Sequence, residues 1–499
     1  MIRKVHVVVM AVLVLAAFLR LFRFQTFLEF LDDQGRDAIV MKQILVNHDF
    51  TLLGPGTSVG KMYLGPLYYY VMTPFLAMTY PEPTGPAYGI ALMGIVTVAL
   101  IYIWGKKLVG ETAALIAMSL YAVSPIVVQL SRFSWQPNPA PLVGICMMWF
   151  TYLAIQHKKP WYWVGVATCF TILSQLHYVA LLSALPSAVF LVYDIWRSRK
   201  QPRWFVRWIG ISSISLVIFA VSMVPLIAFD LRHNHVIIQG FQEFISDQKR
   251  PEPLFSKLTR IAVDMHGRSM FITAELYGLP KQFRVFNTVF TTVLFILVVC
   301  VFRKKRSIGQ ILVFLWVVLP LIGLSVYPDT VYMHYIGFVF PASFLLLGSV
   351  LGYVTDLSQK HSVARIVIWI GIVAVMINFV RSSPFFVKQD GGYREARRVA
   401  LDVAKTVPPN IRYNIALLNQ NREYRAMKYR YFFETGPTPP NSWYDYTNLD
   451  TLIVFVENGE DPKKAPIYEI QQFFRENPHA SLLTSTLYPG IVEVYMYGK

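Results

Sequence analysis

The stretch FLDDQGRDAIVMKQIL, residues 30–45, places four charged side chains within six residues, shortly after a long apolar segment. Ala38, Met41 and Leu45 then recur on one helical face, which predicts a helix that lies at an interface. A carboxylate in this position can accept a proton from an attacking hydroxyl, or bind a divalent cation with a neighbour. Two simpler roles are open: acids favoured by a helix N-terminus, and ion pairs with Arg36.

The composition indicates a membrane protein with many spans. Of 499 residues, 55% are hydrophobic and only 15% are charged, whereas soluble domains carry about 25% charged residues. The net charge of +17 comes mostly from short Lys and Arg clusters between apolar runs, as in cytoplasmic loops. We therefore expect membrane lipids, and no nucleic acid, as partners. The three cysteines lie inside apolar runs, which argues against a disulfide framework or a zinc site.

Apolar runs long enough to cross a bilayer recur as far as about residue 380. The basic clusters between them mark one side of the membrane, which the positive-inside rule assigns to the cytoplasm. About eleven spans then give a cytoplasmic N-terminus and an external C-terminal segment. The predicted spans are residues 5–24, 87–105, 112–130, 140–156, 161–176, 178–194, 208–229, 284–302, 308–327, 333–352 and 364–380.

Residues 64–80 are apolar enough to look like a further span, but counting them as one would invert the charge pattern of several later loops. We interpret this Tyr-rich segment as lying at the outer interface. Residues 25–86 then form a first external loop with juxtamembrane helices. A second external loop runs from about residue 230 to residue 282.

From about residue 387 the composition changes to that of a small soluble α/β domain. The predicted domains are therefore a membrane domain, 1–386, and an external domain, 387–499. In the external domain, helices are predicted at 392–407 and 465–474, buried strands at 412–419 and 449–458, and an alternating strand at 490–498.

Polar side chains near the outer ends of the spans are candidates for a substrate site, because such groups usually face a cavity. Taken singly, each is more often a packing residue. Lys61 is a candidate for binding a lipid phosphate at the membrane surface, although it can equally be an anchor at the interface. The expected lining of the cavity is Arg36, Asp37, Tyr68, Trp135, Asn138, His177, Tyr178, His233, His334 and Tyr335.

This organisation resembles the polyprenyl-phosphate-dependent glycosyltransferases of the GT-C fold, in particular the protein O-mannosyltransferase and lipid A aminoarabinose transferase branch. The matching segments are LDDQGRDA at 31–38, GPLYYY at 65–70, residues 106–125 and the tail from 387. The resemblance implies a polyprenyl-phosphate sugar donor and an aspartate base in the first loop. It also implies cations that stabilise the leaving phosphate, for which Lys61, Arg132 and Arg268 are the candidates. Much of the family carries Asp-Glu followed by Tyr, and often a second acid after the third span. Here residues 32–35 are Asp-Asp-Gln-Gly and 131–141 hold no acid, which favours a single carboxylate base over a metal bridge.

The sequence thus predicts a multi-pass enzyme of the plasma (inner) membrane that transfers a sugar to a lipid, glycan or protein acceptor on the extracytoplasmic face. Asp33 is the first candidate for the base, because a turn at Gln34 and Gly35 would expose it before the helix begins. Asp32 is the second, and the two carboxylates can also share a proton or a divalent cation. The alternative function is a lipid or sugar transporter or flippase with an external accessory domain.

The charge pattern makes a direct prediction about topology. Reporter fusions after Lys107, Lys200 and Lys304 should report the cytoplasm, because each follows a basic cluster. Fusions after Asp390 should report the outside. An external signal at Lys107 would mean that residues 64–80 cross the membrane, and the eleven-span topology would fail.

Overall fold

A computed structural model describes residues 2–57, 62–247, 254–279, 284–304, 307–327, 330–358, 362–383 and 392–499. The helices are α1 (Ile2–Leu21), α2 (Asp32–Asn47), α3 (Leu67–Ala77), α4 (Gly85–Leu108), α5 (Glu111–Val123), α6 (Pro125–Leu130), α7 (Ala140–His157), α8 (Tyr162–Leu176), α9 (Ala184–Ser198), α10 (Trp204–Arg232), α11 (Val236–Asp247), α12 (Leu254–Tyr277), α13 (Arg284–Lys304), α14 (Ile308–Val326), α15 (Phe340–Leu357), α16 (Ser362–Arg381), α17 (Tyr393–Ala404), α18 (Met427–Glu434) and α19 (Tyr468–Glu476). The strands are β1 (Tyr413–Leu418), β2 (Thr451–Val456), β3 (Ser481–Tyr488) and β4 (Val492–Gly498).

The chain forms two compact units, each built from separate stretches of sequence. The first unit comprises residues 1–22, 51–71 and 87–386, and the second comprises 23–50, 72–86 and 387–499. The sequence predicted a single domain boundary at residue 387. In the structure, residues 23–50 and 72–86 of the first loop pack with the C-terminal segment and belong to its unit.

The first unit is mostly helical and has the composition of a multi-pass membrane protein. Among the described residues, six helices are long and apolar enough to cross a membrane, and four shorter helices are apolar. Each of the eleven predicted spans coincides with helical structure. The long candidates are Gly85–Leu108, Ala140–His157, Tyr178–Ser198, Trp204–Arg232, Ile308–Val326 and Met333–Leu357.

One sequence prediction about the first unit needs correction. The span predicted at residues 112–130 is broken into α5 and α6, because Pro125 lacks the N–H that would continue the helix and its ring would clash with the preceding turn. The Ser124 hydroxyl at the break donates to the Leu276 carbonyl at 3.0 Å. The predicted second external loop contains α11 and the 24-residue α12, and its position outside the membrane stays a prediction.

The interfacial segment at residues 64–80 contains α3, whose 11 residues span about 16 Å. A transmembrane helix needs about 20 residues. The length of α3 therefore agrees with an interfacial position and with the exclusion of this segment from the spans.

Small residues allow close helix packing in the first unit. α5 is buried along most of its length and packs on α15. At Gly348 of α15, a Cβ would lie 2.3 Å from the Ala113 carbonyl oxygen. Close approach of backbones at small residues is the usual way in which helices associate within a membrane.

The second unit contains a four-stranded sheet in the order β1-β2-β4-β3. β1 and β2 are parallel, joined through α18, and β4 pairs antiparallel with β2 and β3. Every residue of β1 and β2 is buried, as continuous apolar runs require. The strands predicted at 412–419, 449–458 and 490–498 are confirmed, and so are the helices α17 and α19. The sequence analysis missed α18 and the exposed edge strand β3.

The acidic segment of the first loop belongs to this second unit, where α2 packs on α18. The contact is closest at Gly35, where a Cβ would lie 2.3 Å from the Met427 carbonyl oxygen. Phe30, just before α2, packs against the rings of Tyr393 and Phe432. Gly35 is therefore a packing residue inside a helix, and the prediction of a turn at Gln34-Gly35 is wrong.

The packing at Gly35 can be tested by adding one methyl group. Gly35→Ala should lower the thermal unfolding midpoint, because forcing a Cβ against backbone costs about 1–3 kcal/mol. Gly210→Ala is the matched control, since Gly210 also lies in a helix but has no atom within 4 Å of its ideal Cβ. The control should be neutral or slightly stabilising. Equal midpoints for the two variants would contradict the close contact between α2 and α18.

Candidate functional site

Asp32 is the first residue of α2, and its side chain is buried, with 5% exposure. Its Oδ1 accepts the backbone N–H of Lys428 at 3.3 Å. The Lys428 ammonium in turn pairs with Glu457 at 2.6 Å. Burial raises the pKa of Asp32 to about 7, against the opposing effect of the Lys428 charge. Asp32 thus joins α2 to α18.

Asp33 is half-exposed, with 37% of its side chain accessible, and it pairs with Arg36 at 2.7 Å. The same guanidinium donates from Nε and Nη2 to Oδ1 of the buried Asp37, at 3.0 and 2.8 Å. The expected contact between Arg36 and Asp37 is therefore present. Asp33 is the more accessible of the two candidate bases, and Arg36 fixes the orientation of its carboxylate.

In the first unit, four of the predicted cavity residues form one aromatic cluster. His334 lies 4.2 Å from the Trp135 ring and 4.6 Å from Tyr335, between ring centroids. His177 stacks on Tyr335 at 4.3 Å. Burial, with a contribution from His334, lowers the pKa of His177 to about 3, so its imidazole is neutral at pH 7. The cluster therefore offers ring faces and neutral nitrogen atoms, which suit a sugar better than a free anion.

Tyr178 and His233 lie in a neighbouring group of rings. Tyr178 donates to the Tyr63 carbonyl and packs against Phe241 at 5.2 Å. His233 stacks on Phe229 at 3.8 Å, and its Nδ1 lies 2.8 Å from the Phe229 carbonyl oxygen. Since the Tyr63 ring lies 6.3 Å from Phe229, the two predicted residues belong to one group.

Tyr68 and Asn138 organise the segment around Trp135. The Tyr68 hydroxyl lies 2.5 Å from the Ser134 hydroxyl. The Asn138 side-chain amide donates to the Phe133 carbonyl at 2.9 Å. Both side chains hold the backbone that carries Trp135.

The predicted phosphate-binding arginines are engaged with helix ends. Arg132 is buried and donates to the carbonyls of Leu19 and Phe22, at 2.6 and 3.1 Å, at the C-terminus of α1. Arg268 donates to the Leu324 and Tyr327 carbonyls at the end of α14. Carbonyls in the last turn of a helix lack the N–H four residues ahead that would otherwise bind them, and the Leu324 carbonyl also accepts the Tyr327 N–H at 2.9 Å. The third cation, Lys61, lies outside the described residues. A phosphate-binding role for these three residues stays a prediction.

An apolar cavity of about 350 Å³ lies between α12, α13, α14 and α15 in the first unit. Phe295, Val298, Phe314 and Leu321 are among its lining residues, and nearly all of its surface is apolar. Its size and lining suit a hydrocarbon ligand. Because the polar atoms are few, we do not expect the cavity to hold a charged group.

A divalent cation is the one cofactor that the sequence leaves open. Within the described part of the chain, no group of three or more His, Cys, Asp or Glu side chains could hold a metal ion. The Asp32 carboxylate already accepts a backbone N–H. Asp32 and Asp33 as metal ligands stay a prediction.

Comparison with known proteins gives a family match and several structural matches. Residues 64–224 match the family described as dolichyl-phosphate-mannose-protein mannosyltransferase. ArnT from Cupriavidus metallidurans bound to undecaprenyl phosphate is 13% identical, with a TM-score of 0.59 and 98% and 97% of the two chains covered. Its apo structure gives a TM-score of 0.60 with the same identity and coverage. The Archaeoglobus fulgidus oligosaccharyltransferase, in complex with zinc and sulfate, is 12% identical, with a TM-score of 0.51, covering 90% of this chain and 67% of that one. No curated protein matches the sequence.

The fold is that of the GT-C glycosyltransferases. With the family match, it indicates a membrane glycosyltransferase, and the resemblance found in the sequence is confirmed. Within this fold, the sequence analysis missed the contribution of Lys428, which is buried against Asp32. One usable pattern was overlooked, since His-Tyr occurs at both 177–178 and 334–335, each time at a 3-10 turn that leads into an apolar helix.

The buried carboxyl of Asp32 predicts a pH-dependent stability. A carboxyl whose pKa rises on folding from about 3.8 to about 7 binds more protons in the folded state between these pH values. Its contribution to stability is therefore full at low pH and declines as pH rises toward 7. Asp32→Asn keeps an oxygen that can accept the Lys428 N–H and removes the buried charge. The variant should match the wild type at about pH 3, below both pKa values, and have a midpoint a few degrees higher at pH 8.

Asp445→Asn is the matched control in the same unit. Hydrogen bonds from Thr447 lower the pKa of Asp445, so this variant should lose stability at pH 8 and match the wild type only at low pH. Parallel pH profiles for wild type and Asp32→Asn would contradict a buried, charge-sensitive Asp32.

Proposed function

We propose that this glycosyltransferase transfers a sugar from a polyprenyl-phosphate donor to an acceptor on the extracytoplasmic face of the membrane. The observation that carries the proposal is the fold match over nearly the whole of both chains to an enzyme whose structure holds undecaprenyl phosphate. The family match at residues 64–224, to mannosyltransferases that use a dolichyl-phosphate sugar, supports the same donor class. A transporter or flippase would leave this match without an explanation.

The donor's hydrocarbon tail is assigned to the apolar cavity between α12 and α15. Burying each methylene of a lipid tail contributes about 0.8 kcal/mol, so even part of a long polyprenyl chain gains enough to hold the donor. The cavity belongs to the unit that contains the candidate spans. A tail bound there could therefore remain within the bilayer.

The donor's sugar is assigned to the cluster of Trp135, His177, His334 and Tyr335. Aromatic faces pack against the C–H surface of a sugar ring, and neutral imidazoles can donate or accept hydrogen bonds with its hydroxyls. The low pKa of His177 keeps this ring neutral. Because this cluster is uncharged, it does not attract the phosphate. It can therefore position the sugar without binding the leaving group.

Asp33 is proposed as the general base. The acceptor hydroxyl attacks the anomeric carbon, its proton passes to the Asp33 carboxylate, and the bond between the anomeric carbon and the phosphate oxygen breaks to release polyprenyl phosphate. Asp33 fits this role because it is accessible and is oriented by Arg36 at 2.7 Å. Asp32 fits it less well, because its carboxyl is buried and accepts the Lys428 N–H.

Departure of the phosphate requires cationic stabilisation, and Lys61 is proposed for this role. Arg132 and Arg268 remain candidates, but each already donates to two carbonyls at a helix end. Replacing either arginine would remove two of these hydrogen bonds, each of which contributes about 0.5–1.5 kcal/mol to stability. The acceptor is a lipid, a glycan or a protein.

The proposal is tested with purified full-length protein and radiolabelled polyprenyl-phosphate sugars. The wild type should release polyprenyl phosphate and label an acceptor hydroxyl. Asp33→Asn should lower turnover by about two to four orders of magnitude, because it removes the basic lone pair, while donor binding is retained. Asp49→Asn is the control, since Asp49 is an exposed acid of the same unit.

Two outcomes would contradict the proposal at different levels. Full turnover in Asp33→Asn would remove Asp33 as the base but leave the transferase intact. Movement of the intact labelled lipid across a vesicle membrane, without cleavage, would favour a flippase.

A further inference from the structure

The exposed face of α17 forms one wall of a basic cleft in the second unit. The cleft has a volume of about 560 Å³ and is lined by four basic and two acidic side chains. Arg394, Arg398 and Lys405 follow one another along this face at helical spacing and are exposed. The opposite face of α17, including Val399 and Val403, is buried in the unit.

Two of these positive charges, on Arg394 and Arg398, are placed where the helix itself does not favour them. Arg394 lies in the first turn of α17, where the helix dipole favours acids. Arg394 and Arg398 are four residues apart, a spacing at which like charges repel. Among the described residues, neither arginine forms an ion pair, and Lys405 has only a pair with Asp402 at 3.4 Å. An anionic ligand between the two arginines would offset both their mutual repulsion and the unfavourable position of Arg394.

The remaining arginine of the cleft is fixed in place. Arg397 holds Glu82 with its Nε and Nη2 atoms, at distances from 2.7 to 3.0 Å. The Tyr393 hydroxyl binds the same carboxylate. This contact neutralises Glu82 and ties residues 72–86 to α17, so the cleft is formed before any ligand arrives.

We propose that this cleft binds a phosphate group. Guanidinium groups form paired, directional hydrogen bonds with phosphate, and a phosphate has enough oxygen atoms to accept from two arginines at once. Lys405 adds a point charge at the other end of the stripe. The phosphate belongs either to a lipid head group or to a soluble phosphate ester. The inference does not depend on the proposed transferase activity, because none of the cleft residues has a role in the proposed reaction.

The test uses the full-length protein in a non-ionic detergent and two probes. Glycerol 3-phosphate binding is measured by calorimetry, and phosphatidylglycerol binding is measured by native mass spectrometry against phosphatidylcholine. The wild type should bind at least one of these phosphate probes. Binding should weaken at least tenfold in Arg394→Gln/Arg398→Gln/Lys405→Gln, and it should weaken as salt is raised.

The matched control is Lys463→Gln/Lys464→Gln/Arg475→Gln, which removes three charges elsewhere in the same unit and should bind like the wild type. Weakened binding of glycerol 3-phosphate supports a soluble ester, and weakened binding of phosphatidylglycerol alone supports a lipid head group. The thermal midpoint checks folding, and the single variant Arg398→Gln, expected to weaken binding several-fold, replaces the triple variant if that one unfolds. Equal loss in the cleft and control variants, or no binding of either probe by the wild type, would overturn the proposal.

Discussion

A carbonyl group at the end of an apolar helix finds no water in a bilayer, so the protein must supply its hydrogen-bond donor. In the first unit this donor is repeatedly an arginine. Arg132 serves the end of α1, Arg268 the end of α14, and Arg20 the Ala122 carbonyl near the end of α5, at 2.9 Å. A guanidinium has five donors and no acceptor, which suits it to crowded carbonyls. Part of the high positive charge of the chain is therefore structural.

In the second unit, the contact between α2 and α18 depends on close packing as well as on a hydrogen bond. α2 sits against α18 because Gly35 has no side chain, and Asp32 and Lys428 are linked across the same contact. The C-terminal segment is therefore not an independent appendage. Without residues 23–50, the Lys428 N–H would lose its acceptor and Phe432 would lose its contact with Phe30.

The elements that the sequence predicted well are those that carry a strong local pattern. The long apolar runs form helices, and the short runs at β1 and β2 form buried strands. A continuous apolar run must be removed from water on every side, and few structures allow this. The sequence placed His177 and His334 near the outer ends of spans on the same side of the membrane. This was the only indication that the two side chains would lie close together. The sequence could not show that Asp32 is buried and Asp33 accessible, or that Gly35 is a packing residue, since each depends on α18, almost 400 residues away. The partners of Arg132 were concealed in the same way, because the Leu19 and Phe22 carbonyls lie more than 100 residues away in the sequence.

The discontinuity of the second unit has a consequence for biosynthesis. Asp32 and Lys428 are separated by 396 residues, which a ribosome working at about 5–20 residues per second needs roughly 20–80 s to add. During this interval the apolar side of α2, with Ala38, Ile39 and Met41, exists without the helix that later covers it. All the candidate spans are made in the meantime. The nascent chain must therefore shelter this segment, at the lipid surface or with a chaperone, until its last hundred residues emerge.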